Sequence, residues 1–97
     1  MRFDFDPAKD AANRLKHGVP LSFGMRIFDV PGHVFVPSIR LSDGEDRFKV
    51  IGYVDDKLWT TVFNERENGP RLISVRRSNG GEQRDYDRYS ARPGRSR

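Results

Sequence analysis

Basic side chains, most of them arginine, are the residues of this 97-residue chain whose types and spacing could do chemistry. A guanidinium group donates two parallel hydrogen bonds to a phosphate or a carboxylate. Residues 71–97 hold eight Arg, no Lys and three acidic residues, whereas residues 1–70 are close to neutral. The net charge of +4 therefore comes from the C-terminal quarter. A polyanion or an acidic protein is the first ligand class to consider, although a solvated surface explains the charge equally well.

Several kinds of site are excluded by what the sequence lacks. With no Cys, the chain has no disulfide, no thiolate metal site and no cysteine nucleophile. His17 and His33 stand too far apart for a helical pair of metal ligands. The glycine-rich P-loop and the Gly-x-Ser-x-Gly motif of serine hydrolases are also absent. We therefore predict that the protein uses neither a metal ion nor a cofactor.

Charged residues at the ends of predicted strands could form one polar cleft. Arg71 and Arg76 bracket one strand and Arg77 follows it, while Glu45 and Arg47 stand at the start of another. Such a cleft has the parts for metal-independent cleavage of RNA, in which the ribose 2′-hydroxyl is the nucleophile. The protein then supplies only a base, an acid for the leaving 5′-oxygen, and cations for the phosphate. The simpler alternative is that these are solvent-facing pairs and surface charges.

The elements that would position these residues follow from hydrophobic spacing. Asp6 before Pro7 predicts a helix that ends at Gly18. The helix carries one apolar stripe, with Asn13 on the remaining polar surface; the stripe consists of Ala8, Ala11, Ala12 and Leu15. A second short helix, which Ser22 can cap, comes next. Residues 29–37 are predicted to be a loop that holds at most a short edge strand.

Alternating apolar and polar residues predict an antiparallel meander of three strands. The strands span residues 47–54, 58–65 and 71–76, and a short strand at residues 3–5 precedes them. We expect Ile73 and Val75 in the core, with Arg76 on the opposite face. One face of this sheet is expected to pack against helices. The fold class is therefore α+β, with a small antiparallel sheet, two N-terminal helices and one C-terminal helix.

The last helix is predicted by the capping-box pattern of Asn79 and Glu82 and runs to about residue 89. Tyr86 most simply anchors this helix against the sheet. Residues 90–97 contain only Ser, Ala, Pro, Gly and Arg, which predicts a disordered basic tail behind a single domain at residues 1–89. Without a long apolar run or a signal peptide, we expect a soluble, cytoplasmic protein that does not bind membranes.

Short motifs in a fixed order carry a resemblance to a known family. They are Asp-Pro-x-Lys at residues 6–9, Lys-His-Gly at 16–18, Glu-x-Arg at 45–47 and Arg-x-Ile-Ser-x-Arg at 71–76. Together they resemble the BrnT family of type II toxin–antitoxin ribonuclease toxins, which are RelE-like proteins. The resemblance implies an endoribonuclease that inhibits translation and is neutralised by a BrnA-like antitoxin. It also implies that the complex of the two binds its own promoter DNA.

The resemblance and the charge pattern select the same candidate site. The expected catalytic residues are Lys16, His17, Glu45, Arg47 and Arg76. The expected RNA-binding residues are Arg71, Arg77, Arg84 and Tyr86. Glu45 or Lys16 would accept the proton and His17 would serve as the acid, although His17 can equally be a cap favoured by the helix dipole.

Two other functions fit the sequence. The first alternative is a non-catalytic basic module that pairs with a partner protein and contributes to DNA binding and autoregulation. The second is a structural domain with an incidental basic tail.

Overall fold

A computed structural model describes residues 2–38 and 47–90 of the chain. These residues form five strands and three helices, so the predicted α+β class is confirmed. The strands are β1 (Asp4–Phe5), β2 (Val34–Pro37), β3 (Phe48–Val54), β4 (Lys57–Arg66) and β5 (Gly69–Arg77). The helices are α1 (Pro7–His17), α2 (Gly24–Asp29) and α3 (Gly80–Tyr89), and a 3₁₀ turn at Leu21–Phe23 leads into α2.

The five strands form one mixed sheet in the order β1-β5-β4-β3-β2. Strands β2 to β5 pair antiparallel with one another, which confirms the predicted meander for β3, β4 and β5. The sheet is larger than expected, and β1 pairs parallel with β5, Asp4 lying opposite Arg71. The direction of that pairing depends on the path of the chain between residues 67 positions apart. Local residue patterns do not contain this information.

A β-bulge in β5 changes which of its side chains reach the core. Val62 lies opposite Ser74 while Phe63 lies opposite Leu72, so that Ile73 is an extra residue without its own partner on β4. The bulge breaks the strict alternation of faces. Leu72 and Val75 are buried in the core, and the prediction that Ile73 belongs there is wrong.

Both faces of the sheet are covered by helices, although we expected helices on only one. On the first face, the main core includes Leu21 and Ile27, which pack against Val50 and Phe63 of the sheet. On the opposite face, α3 packs through Tyr86 into a second cluster. The other buried members of that cluster are Val34, Val36, Ile51 and Leu58.

Helix α1 has the predicted ends but buries a different side from the predicted one. Asp6 caps its N-terminus through the N–H of Ala8, and Gly18 ends it with a left-handed φ of 79°. The residues of the apolar stripe are nevertheless exposed, and Leu15 exposes 89% of its surface. Asn13, which we placed among the surface residues, is 4% exposed.

The reason for this reversal is that Asn13 binds the backbone of β5. Its amide nitrogen donates to the carbonyl of Val75 and its oxygen accepts from the Val75 N–H, both at 2.9 Å. The same nitrogen also donates to the carbonyl of Val19 at 2.9 Å. Buried backbone groups require polar partners. An amide is therefore the buried group here, and the apolar residues face outward.

Helix α2 lies unusually close to the sheet. A Cβ atom at Gly24 would lie 2.6 Å from the Thr61 Oγ1 atom and 2.7 Å from the Val75 Cγ2 atom. The Thr61 hydroxyl donates to the Gly24 carbonyl across the same contact. Glycine is thus required for the packing of α2, despite its low helix propensity. The predicted cap at Ser22 is wrong, because α2 continues directly from the 3₁₀ turn without a side-chain cap.

Candidate phosphate-binding cleft

A depression of about 350 Å³ opens on the sheet face that carries α3. It is lined by Ser38, Arg47, Lys49, Val62, Ile73, Ser74 and Arg76. Residues two apart on a strand share a face of the sheet. Arg47, immediately before β3, and Lys49 of β3 therefore lie together in the depression, and so do Ser74 and Arg76 of β5. We call this depression the basic cleft, because three of its lining side chains are cations.

Two cations of the basic cleft, Arg76 and Lys49, pair with Glu82, the third residue of α3. Two nitrogens of Arg76 each donate to one carboxylate oxygen at 2.7 Å, and Lys49 Nζ lies 3.0 Å from Oε2. Oε1 also accepts from the Thr60 hydroxyl at 3.1 Å and from the Asn79 N–H at 3.0 Å. Glu82 is 1% exposed. A buried carboxylate requires such pairing, because leaving it unpaired costs several kcal/mol.

These contacts determine the protonation of both partners. Burial alone raises the pKa of the Glu82 carboxyl, but hydrogen bonds from Arg76, the Asn79 N–H and Lys49, together with the charge of Arg76, lower that pKa to about 2. The hydrogen bond to Glu82 in turn raises the pKa of Arg76 above its ordinary value. Both groups are therefore charged at neutral pH, and Glu82 is a poor base for catalysis.

The arrangement is suited to binding an anion. Arg47, Lys49 and Arg76 bring three cations to the cleft, and the buried carboxylate of Glu82 pairs with two of them. Lys49 and Arg76 remain 23% and 26% exposed, so they are accessible from the cleft. Among the lining residues, which all belong to the described part of the chain, none is a carboxylate or an imidazole.

The predicted catalytic residues of α1 do not line the basic cleft. Lys16 and His17 are exposed at the end of α1. The helix lies along the edge of β5, where Asn13 meets Val75. Glu45, the other candidate base, lies outside the described residues.

The three arginines of β5 point to three different places. Arg76 lines the basic cleft, whereas Arg71 forms an ion pair with Asp4 and lines a separate depression with Glu65 and Glu67 among its residues. The Arg77 guanidinium lies 5.8 Å from the centre of the Trp59 ring, which belongs to the face that carries α2. The structure therefore does not bring Arg71 and Arg77 to the phosphate site expected of Arg76.

The two candidates on α3 differ in accessibility. Arg84 is exposed on the helix surface. Tyr86 has no exposed surface, and its ring packs edge-on against Tyr53 at 5.3 Å between ring centres. That placement fits the alternative role of Tyr86 as the anchor of α3, because a buried ring cannot stack on an RNA base.

Lys49 and Glu82 are the cleft residues that sequence reasoning missed. Lys49 could have been found, because it follows Arg47 by two residues on a predicted strand and so shares its face. Glu82 was recognised only as part of a capping box, which the structure confirms. Its second role depends on the approach of α3 to β5 and β3, for which the sequence offers no separate signal.

Neither metal ligation nor membrane spanning is indicated by the described residues. Within residues 2–38 and 47–90, no three His, Cys, Asp or Glu side chains are grouped as a metal ion would need. No helix in the same residues is long and apolar enough to cross a membrane.

Comparison with known protein families identifies a match. The model of the family described as the ribonuclease toxin BrnT of type II toxin–antitoxin systems matches residues 5–82. This range contains both arginines of the basic cleft and Glu82, whereas Arg84 and Tyr86 follow it. No curated protein matches the chain.

Proposed function

The chain belongs to the BrnT family of ribonuclease toxins of type II toxin–antitoxin systems, and from this premise we propose that it cleaves RNA at the basic cleft without a metal ion. The observation that supports this proposal is the convergence of Arg47 and Arg76 on one depression. Both were selected from the sequence as phosphate ligands. A phosphodiester in the cleft would meet two guanidinium groups, and hydrogen bonds from Arg76 would come from the N–H donors that Glu82 does not occupy.

In the proposed reaction, a base removes the proton of the ribose 2′-hydroxyl, and the 2′-oxygen attacks the adjacent phosphorus. The bond from phosphorus to the 5′-oxygen breaks, and an acid protonates that oxygen. The products are a 2′,3′-cyclic phosphate and a 5′-hydroxyl. Arg47 and Arg76 stabilise the negative charge that grows on the non-bridging oxygens. Glu45 is our candidate base, because it precedes Arg47 by two residues in the chain. Lys16 and His17, the other proton carriers expected from the sequence, do not line the cleft.

The proposal includes the partners of the protein. Membership of the family implies an antitoxin, and we propose that it is a BrnA-like protein which stops the inhibition of translation. We further propose that the complex of toxin and antitoxin binds its own promoter DNA, and that the toxin acts in the cytoplasm. Co-expression of the neighbouring gene should restore the growth that the toxin alone arrests.

The direct test is cleavage of a single-stranded RNA by the purified protein in EDTA. We expect 2′,3′-cyclic phosphate ends, and we expect Arg47→Ala to lower the rate about 100-fold through the loss of one phosphate ligand. Arg88→Ala is the matched control, since Arg88 is an exposed arginine of α3 that does not line the cleft. RNA that stays intact in EDTA, or equal losses in the two variants, would contradict the proposal.

A further inference from the structure

We infer that Lys49 is a further phosphate ligand of the basic cleft and that Glu82 is a positioning residue which holds Lys49 and Arg76 toward it. This inference rests on the proposed function, because it concerns the same cleft. Neither residue was selected from the sequence. The geometry of the Glu82 carboxylate is the observation that distinguishes this role from a purely structural one.

The two oxygens of Glu82 have different partners. Oε1 accepts the Asn79 N–H and the Thr60 hydroxyl, in addition to one nitrogen of Arg76. These contacts cap α3 and join it to β4. Oε2 instead contacts two cations of the described chain, Arg76 and Lys49. A glutamine at this position could accept the same hydrogen bonds from Asn79 and Thr60 through its amide oxygen. The helix cap therefore explains neither the contacts of Oε2 nor the negative charge of the side chain.

Lys49 meets the requirements of a phosphate ligand. Its side chain keeps 23% of its surface exposed and lines the same depression as Arg47. The contact with Glu82 uses one direction around the ammonium group, which has three N–H donors. Donors remain to reach a phosphate oxygen in the cleft. Lys49 would add a third cation to the two guanidinium groups of the proposed site.

The charge balance of the cluster supports a role for Glu82 in holding these cations. Three positive charges close together repel each other, and a buried carboxylate between two of them offsets that repulsion. A cleft lined by cations suits the dianionic transition state of cleavage by a deprotonated 2′-oxygen. The paired bonds from Arg76 to Glu82 also fix the guanidinium plane before the substrate binds.

The first experiment replaces Lys49 by methionine, which keeps the length of the side chain and removes its charge. We expect kcat/KM for RNA cleavage in Lys49→Met to fall about 100-fold. Lys49→Arg should retain activity to within about tenfold, because it restores a cation of similar reach. The matched control is Lys57→Met, which removes an exposed lysine outside the cleft. Equal activity of Lys49→Met and Lys57→Met would overturn the role of Lys49.

The second experiment tests Glu82 with Glu82→Gln, measured under conditions where urea unfolding shows the variant to be folded. We expect kcat to fall by about ten- to 100-fold with little change in KM, because misplaced ligands affect the transition state most. The double variant with Lys49→Met separates positioning from stability. If Glu82 acts through Lys49, the loss of kcat in the double variant is smaller than the product of the losses in the two single variants. Fully multiplicative losses, or an unchanged kcat, would overturn the positioning role.

Binding of an RNA analogue with a 2′-deoxy group at the cleavage site distinguishes failure of this inference from failure of the proposed function. If the wild-type protein binds the analogue but never cleaves RNA, and Lys49→Met weakens binding about tenfold, the phosphate site is correct and the proposed nuclease is wrong. If the wild-type protein cleaves RNA and Lys49→Met neither cleaves more slowly nor binds more weakly, the inference is wrong and the nuclease stands.

Discussion

Helices α1 and α3 are each held to the sheet by one buried polar side chain, and the two side chains have different consequences. Asn13 of α1 is neutral and binds the backbone of Val75 and Val19. Glu82 of α3 is charged and binds the cations Arg76 and Lys49. A neutral amide satisfies backbone groups and adds stability only. A carboxylate that pairs with cations also determines where those cations lie, and so connects the packing of a helix to the chemistry of a cleft.

Removal of the charged contact of Glu82 is expected to have the largest effect on stability. Glu82→Ala should lower the free energy of unfolding by about 3–5 kcal/mol, because it leaves Arg76 and Lys49 without their buried partner. Urea unfolding measures this change, and Glu82→Gln provides a milder variant if the alanine variant does not fold. A loss below about 1 kcal/mol would show that the cations find other partners.

The same contact should make the stability of the protein sensitive to acid. The pKa of Glu82 is about 2 in the folded chain and 4.5 as its ordinary value. Its contribution to stability, about 3 kcal/mol, is therefore complete above pH 4.5 and is lost as the pH falls toward 2. Unfolding measured across this range should be less pH-dependent in Glu82→Gln. If stability depended on pH in the same way in the wild type and in Glu82→Gln, ionised Glu82 would not be the group that stabilises the folded chain.

The neutral contact should contribute less and without dependence on pH. Asn13→Ala removes three hydrogen bonds, and we expect it to lower the free energy of unfolding by about 1–3 kcal/mol. Its acid profile should keep the shape of the wild type, since an amide does not titrate in this range. If Asn13→Ala lowered the free energy of unfolding as much as Glu82→Ala does, the neutral contact of α1 and the charged contact of α3 would stabilise the fold equally.

The smallest effect is expected on the outward side of α1. Leu15→Ser should change the free energy of unfolding by no more than about 0.5 kcal/mol, because Leu15 is 89% exposed. Thermal or urea unfolding is sufficient to measure it. A loss above about 1.5 kcal/mol would mean that the apolar stripe packs on the domain, as its spacing predicted.

The sequence was sufficient for features that depend on neighbouring residues. The caps at Asp6 and Gly18, the capping box of Asn79 with Glu82 and the alternation of β3 were predicted and are present. Each depends on hydrogen bonds or side-chain directions within a few residues.

Features set by contacts distant along the chain were not predicted. The apolar spacing of α1 is real, but the helix lies beside the part of β5 that the short strand β1 does not cover, where backbone groups select Asn13 for burial. The bulge at Ile73 shifted the faces of β5 by one residue. The pairing of Lys49 with Glu82 joins residues on β3 and α3. Periodicity identifies which residues share a side of an element, but not what that side will meet.

The contacts of Asn13 also have a consequence for synthesis of the chain. Asn13 and Val75 are 62 residues apart, and Asp4 and Arg71 are 67 apart. Asp4 and Asn13 are made long before β5, so the partners that cover this edge of β5 are already present when the strand leaves the ribosome. Arg76, by contrast, obtains its carboxylate partner only when α3 has been made. A nascent chain therefore completes the ion pairs of Arg76 and Lys49 only after α3 has left the ribosome, which is later than the translation of the cleft residues themselves.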